Sequence, residues 1–201
     1  MQRSATSGST GRPLPLLKAA RLGRFWDAFL LRDLFWHRLD LNAKWASFRR
    51  NPGGTAGPEQ ELRSAAVKPV LYPDLGLPVC DLYPSGPMAI YEIRRPIAEQ
   101  AAWLVAENPD YLATFPSHAV ELAQYFRDSG QRLKALRAIR TVSEAVTADH
   151  RALCRDVFGV EILDAYSAEE IGYMALQCPD VAGDEPPLPG QSHFSIGRVD
   201  W

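Results

Sequence analysis

Scarcities bound this chain before any motif does. Its three cysteines, Cys80, Cys154 and Cys178, are scattered through 201 residues with no CxxC pair, which argues against a disulfide framework and a cysteine zinc site and suits a reducing compartment. An excess of either charge is missing too. With 22 Lys plus Arg against 24 Asp plus Glu, a formal net charge of −2, the chain has no overall field to gather nucleic acid or an anionic membrane. Long apolar runs are also lacking: the stretch around Phe29 is broken by Asp27, Arg32 and Asp33, far short of the roughly 20 apolar residues a membrane helix needs. No signal-peptide core precedes that stretch, so the expected location is the cytoplasm; a transit peptide is the alternative, because no acidic residue comes before Asp27. His37, His118, His150 and His193 show neither HxH nor HxxxH spacing, which removes the usual histidine metal patterns. The GxSxG elbow of a serine hydrolase is absent, and Ser117-His118, as sequence neighbours, do not replace it. Arg132, Lys134, Arg137 and Arg140 read as a solvated face, since no aromatic residues interleave them as a nucleic-acid surface would require. The partner expected is a small molecule.

The run Thr6-Ser7-Gly8-Ser9-Thr10-Gly11-Arg12-Pro13 stands out by its lack of side-chain bulk. Glycines let backbone N–H groups converge on an anion, and hydroxyls add donors, so a polyphosphate is its natural guest; a flexible tail is the plainer reading of the same composition. The run lacks the Walker A spacing GxxxxGK[ST]. From Leu22 to about Arg38, aromatic and aliphatic residues recur every four positions, which predicts a helix. A short strand over 44–49 follows, then a loop from Asn51 to Pro58 and a proline-punctuated middle third of short strands and connections. After Pro96 the order is regular. A helix over 97–107 with proline at its first position and Ala101, Leu104 and Val105 inward precedes a strand over 111–115, and Ser117 is expected to cap the next helix, closed by Gly130. A strand over 136–142, a helix capped by Thr147 and closed by Gly159, and a strand over 160–165 complete the pattern.

Strands alternating with helices predict an α/β fold, a mostly parallel sheet with flanking helices. In such sheets ligands gather beyond the carboxyl ends of the strands. Two predicted loops leave those ends, Ser143-Glu144 and Tyr166-Ser167-Ala168-Glu169-Glu170. The second offers a flat ring for a base and carboxylate oxygens for a hard cation such as Mg2+. Its alternative is an acidic helix start favoured by the helix dipole.

Taken together, Thr6 to Pro13 and the later Asp164-Ala165-Tyr166-Ser167-Ala168-Glu169-Glu170-Ile171-Gly172 resemble, in the same order, the phosphate loop and the Tyr-Gly-x-Ser/Thr-Glu motif of the adenylate-forming acyl- and aryl-CoA ligases. The segment from Asp110 to Gln177, with YLATFPS at 111–117 and Phe158-Gly159-Val160, is most similar to the phenylacetate-CoA ligase branch. The resemblance implies ATP-dependent activation of a carboxylic acid to an acyl-adenylate and transfer to coenzyme A. By position it implies that Thr6, Ser7, Gly8, Ser9, Thr10 and Gly11 hold the ATP phosphates. Ser143, Glu144 and Tyr166 would lie against adenine or the acyl-adenylate, and Glu170 would help hold Mg2+. Ser167 stands where the motif has glycine, and Glu169 where it often has a hydroxyl. Residues 1–180 are therefore expected to form part of the family's large domain and 181–201 an irregular or disordered tail. The small domain with its adenylation lysine is expected to be absent, which would leave this chain a fragment with little activity alone. An inactive nucleotide-binding remnant or interaction domain is the alternative.

Overall fold

The computed structural model describes residues 2–5, 15–50, 68–76, 79–168, 172–179 and 194–195. β1 (Gln2–Ala5) and β2 (Pro15–Lys18) pair antiparallel, with Ala5 opposite Pro15. The run Thr6 to Gly11 lies between them, outside the described residues. α1 (Ala20–Trp36) leads into β3 (Trp45–Arg49), followed by β4 (Val70–Tyr72), the short α2 (Val79–Leu82) and β5 (Met88–Glu92). The regular part is α3 (Ile97–Glu107), β6 (Tyr111–Thr114), α4 (Pro116–Ser129), β7 (Ala138–Val142), α5 (Ala148–Phe158) and β8 (Glu161–Ala168). β9 (Gly172–Gln177) and β10 (Phe194–Ser195) close the described chain.

Eight strands form one sheet in the order β10-β9-β8-β7-β6-β3-β5-β4. Its centre is parallel, as expected from the strand and helix alternation, and β4, β9 and β10 pair antiparallel at the two sides. Strand residues alternate between two apolar layers, because successive side chains point to opposite faces. Ala46, Phe48, Leu112, Ile139 and Ile162 pack with α3, α4 and α5 on one face. Trp45, Tyr111 and Ala138 pack with Leu34 of α1 and Val79 of α2 on the other. The position of β3 matters most for function. The chain leaves it towards β5, whereas it leaves the neighbouring β6 towards β7, so a crevice opens at the carboxyl ends of β3 and β6, the usual place for a ligand in an open α/β sheet.

Helix ends follow local chemistry. The Thr147 side chain accepts a hydrogen bond from the His150 backbone N–H and the His150 ring accepts one from the Thr147 N–H, a capping box that starts α5. Gly130 and Gly159 end α4 and α5 at φ 69° and 71°, in the left-handed region that costs a glycine least. Three local expectations need correction. Pro96 is the N-cap of α3 instead of its first residue, Val105 is exposed, and Ser117 sits inside α4, which starts from Phe115 with Pro116 in its first turn. Its end is satisfied from elsewhere: the Glu144 carboxylate accepts from Ser117 N–H at 2.9 Å, and a negative charge there also meets the helix dipole favourably. The third strand is longer than the sequence pattern suggests. Tyr166, Ser167 and Ala168, predicted as loop, belong to β8, which pairs antiparallel with β9; Glu169 and Glu170 lie outside the described residues. No described helix is long and apolar enough to cross a membrane.

Candidate functional site

Beneath α1, on the sheet face that holds Trp45, lies a cleft of about 1040 Å³. Its floor comes from alternate residues of neighbouring strands. Register aligns Ile90 of β5, Ser47 of β3, Ala113 of β6, Arg140 of β7 and Leu163 of β8 in one row across the sheet. Trp26, Leu30 and Leu34 of α1 wall it, and Arg49, Ser143 and Ser167 stand at its carboxyl edge.

Arg140 is a half-buried cation on this face. Its Nε donates to Asp33 Oδ2 of α1 at 2.7 Å and its Nη2 to the Tyr173 hydroxyl of β9 at 2.8 Å. Desolvation works against its charge, but Tyr173 and Asp33 outweigh it and raise its pKa. The solvated-face reading of this residue is thus corrected; strand alternation turns it inward. A β-bulge assists: Tyr166 pairs with Ala175 and Ser167 with Tyr173, leaving Met174 as the extra residue. That step puts Tyr173 on the face of Ser167, where its ring meets Trp26 at 4.9 Å. Arg49 differs from Arg140. Its side chain is exposed and forms no ion pair or hydrogen bond among the described residues, yet crowding at the cleft mouth and then repulsion from Arg140 lower its pKa, with Tyr173 opposing.

The residues singled out in the sequence divide as follows. Ser143 and Tyr166 both lie at the carboxyl edge of the sheet, each the next residue after the paired Val142 and Ala165. Ser143 lines the cleft and holds φ 73°, a strained backbone for a residue with a Cβ, of the kind that collects at functional sites. Ser167 lines the cleft as well, so Tyr166, one residue earlier on the strand and more than half exposed at 57%, points to the other side of the sheet edge. Glu144 is turned to the start of α4. Thr6 to Gly11 and Glu170 lie outside the described residues. Among the described residues no group of three or more His, Cys, Asp or Glu could hold a metal ion. Ser117-His118 is no catalytic pair: both His118 ring nitrogens are engaged in the core, Nδ1 with Thr114 Oγ1 at 2.7 Å and Nε2 with Gln100 Oε1 at 2.6 Å. Cys154 is buried, its thiol pushed up to about 11 by desolvation, and serves as packing.

Ser47, Arg49, Asp33 and Tyr173 escaped the sequence reading. Alternation along β3 was the available signal, since Trp45, Ser47 and Arg49 share a face. Nothing local says that Tyr173 and Asp33 meet Arg140.

No protein-family model matches the chain, and no curated protein does. Solved structures match it in fold. An anthranilate CoA ligase, AuaEII, in complex with anthranoyl-AMP superposes with a TM-score of 0.62 at 17% identity, over 94% of this chain and 32% of that one. VinN in complex with L-aspartate gives 0.63 at 16%, over 93% and 43%. A benzoate CoA ligase from Burkholderia xenovorans LB400 gives 0.59 at 14%, over 92% and 33%. The chain thus spans about a third to two-fifths of the length of these proteins. With its parallel centre, its switch point between β3 and β6 and its ordered match to such structures, this chain has the fold of the adenylate-forming CoA ligases over the part they share.

Proposed function

We propose that this chain is part of a ligase that activates a small carboxylic acid with ATP, in the manner of the phenylacetate-CoA ligase branch. The acid's carboxylate attacks the α-phosphate, pyrophosphate leaves, and the thiol of coenzyme A then displaces AMP to form the thioester. The observation that carries this reading is the carboxyl edge of the sheet, where strained Ser143 and Tyr166 follow paired positions of β7 and β8 beside a cleft of about 1040 Å³. The neighbours support it: one is bound to anthranoyl-AMP and another to L-aspartate.

In this reading Tyr166 presents its ring to adenine and the backbone at Ser143 borders the bound acyl-adenylate. Glu144 acts by positioning, since its bond to Ser117 N–H ties the loop after β7 to α4. Thr6 to Gly11 take the phosphates, and Glu170 with the phosphate oxygens would hold Mg2+, a cation that favours one or two carboxylates plus substrate phosphate. Because the chain spans 32–43% of the three neighbours' lengths, we propose that it binds acyl-adenylate but forms no thioester unaided.

Calorimetry with a non-hydrolysable acyl-adenylate mimic tests this. Binding is expected, and Tyr166→Ala should weaken it by about 1–3 kcal/mol, the worth of stacking a base on an aromatic ring. Glu170→Gln should abolish the Mg2+ enhancement of ATP binding and Glu169→Gln should not. Absence of any mimic binding by the folded chain, or steady CoA-dependent thioester formation by it alone, would each overturn the corresponding half of the proposal.

A further inference from the structure

On β3 the residues facing α1 are Trp45, Ser47 and Arg49, each about 6.6 Å along the strand from the next. All three side chains end in hydrogen-bond donors. Trp45 and Ser47 are 4% and 2% exposed, both line the cleft, and neither the indole Nε1 nor the Ser47 Oγ has a hydrogen-bond partner among the described residues. Folded proteins seldom leave such buried groups unmet, and each instance asks for an explanation. The row across the sheet shows where the missing partner fits. Ser47 and Arg140 flank Ala113, whose methyl leaves a depression between two larger side chains. Arg140 offers little charge to a ligand there, because Asp33 and Tyr173 hold its guanidinium. Positive charge unpaired among the described residues stands instead at the mouth, on Arg49 and its neighbour Arg50. Leu30, Leu34, Val79 and Met88 give the walls an apolar character.

The cleft is therefore graded, with a cation at the mouth, apolar walls and neutral donors on the floor. We propose that it selects a small acid with an apolar body whose far end carries a neutral oxygen acceptor. The carboxyl end lies by Arg49 and Ser143, and the far oxygen receives hydrogen bonds from Ser47 Oγ and Trp45 Nε1 over Ala113. The assignment of the reacting end rests on the adenylate-forming reading. A single aromatic ring with a para hydroxyl spans the two-residue separation of Ser47 and Arg49. A second carboxylate in place of that hydroxyl is disfavoured, because among the described residues the floor supplies it no free cation. A plain alkyl or aryl acid leaves both donors unpaired, and a site built to meet an oxygen discriminates against ligands that lack one.

Two probes differing by one oxygen test this: the 5′-sulfamoyladenosine conjugates of 4-hydroxybenzoic acid and of benzoic acid, titrated calorimetrically into the 201-residue chain. The hydroxylated probe should bind roughly tenfold more tightly or better, the worth of one or two hydrogen bonds in a buried site. Ser47→Ala should erase most of that ratio, and a ratio unchanged in this variant would overturn the assignment of the floor donor. Ala113→Leu, which fills the depression, should weaken both probes in a chain whose circular dichroism is intact. Equal affinity for the two probes in the unaltered chain would overturn this inference and leave the adenylate-forming reading standing. Binding of neither probe to a cooperatively melting chain would remove both.

Discussion

His118 shows how one side chain can be wholly committed by its partners. The Gln100 amide nitrogen donates to the carbonyls of Ile93 and Arg95 at 2.9 and 2.6 Å, so its oxygen must face His118. The proton then sits on Nε2, and Nδ1 accepts from the Thr114 hydroxyl. Desolvation lowers the imidazole pKa from 6.5 to about 4, with the field of Glu144 opposing. As pH falls, the unfolded chain takes up this proton first. The stability that neutral His118 contributes is complete above about pH 6.5 and drains away between 6.5 and 4, by something on the order of 3 kcal/mol. Urea midpoints at pH 7, 5.5 and 4.5 should record that slope, and His118→Gln, less stable at pH 7, should flatten it. An unchanged slope in the variant would assign the acid sensitivity to other groups.

Between elements, the tightest constraint joins the approach to β5 with the approach to β3. Gly86 N–H donates to Leu41 O at 2.7 Å and Trp45 N–H to Pro87 O at 2.9 Å. A Cβ on Gly86 would lie 2.3 Å from Asn42 O and 2.4 Å from Ala43 O, atoms of backbone that cannot rotate away. Gly86→Ala should therefore cost about 1–3 kcal/mol, the usual scale of overpacking. It should also disturb β3, whose outer residues form the cleft floor. The check is a lowered melting temperature accompanied by weaker binding of the acyl-adenylate mimic. A melt within a degree of the parent would mean that the two segments separate freely.

At the scale of the molecule, one polar cluster ties the α1 layer to the sheet: Asp33 of α1, Arg140 of β7 and Tyr173 of β9, with Asp33 2% exposed. Removing one partner of a buried pair strands the other charge away from water. Arg140→Met should thus destabilise by about 3–5 kcal/mol, while the double change Arg140→Met with Asp33→Leu should recover most of the loss, because an apolar pair of similar volume suits such a site. Chemical denaturation of the three proteins decides it. A double variant as unstable as the single would show that the cost comes from lost packing instead of stranded charge.

Local spacing along the chain determined the helices over 97–107 and 148–158, their glycine ends, the parallel alternation and the two segments that resemble adenylate-forming motifs. Each of these depends on a residue acting on its own or neighbouring backbone, as Thr147, Gly130 and Gly159 do, so a one-dimensional pattern suffices. The same patterns placed Arg140 with the solvated residues and ended the third strand before Tyr166. Only tertiary structure decided otherwise, because lateral strand order brings together residues with no local relation: β3 between β5 and β6, Ser47 beside Ala113 and Ala113 beside Arg140. Whether a buried hydroxyl is satisfied, and whether an arginine faces water or Asp33, depends on which strand lies alongside and in what register. That is a property of the folded sheet, and it is where the proposed specificity of the cleft resides.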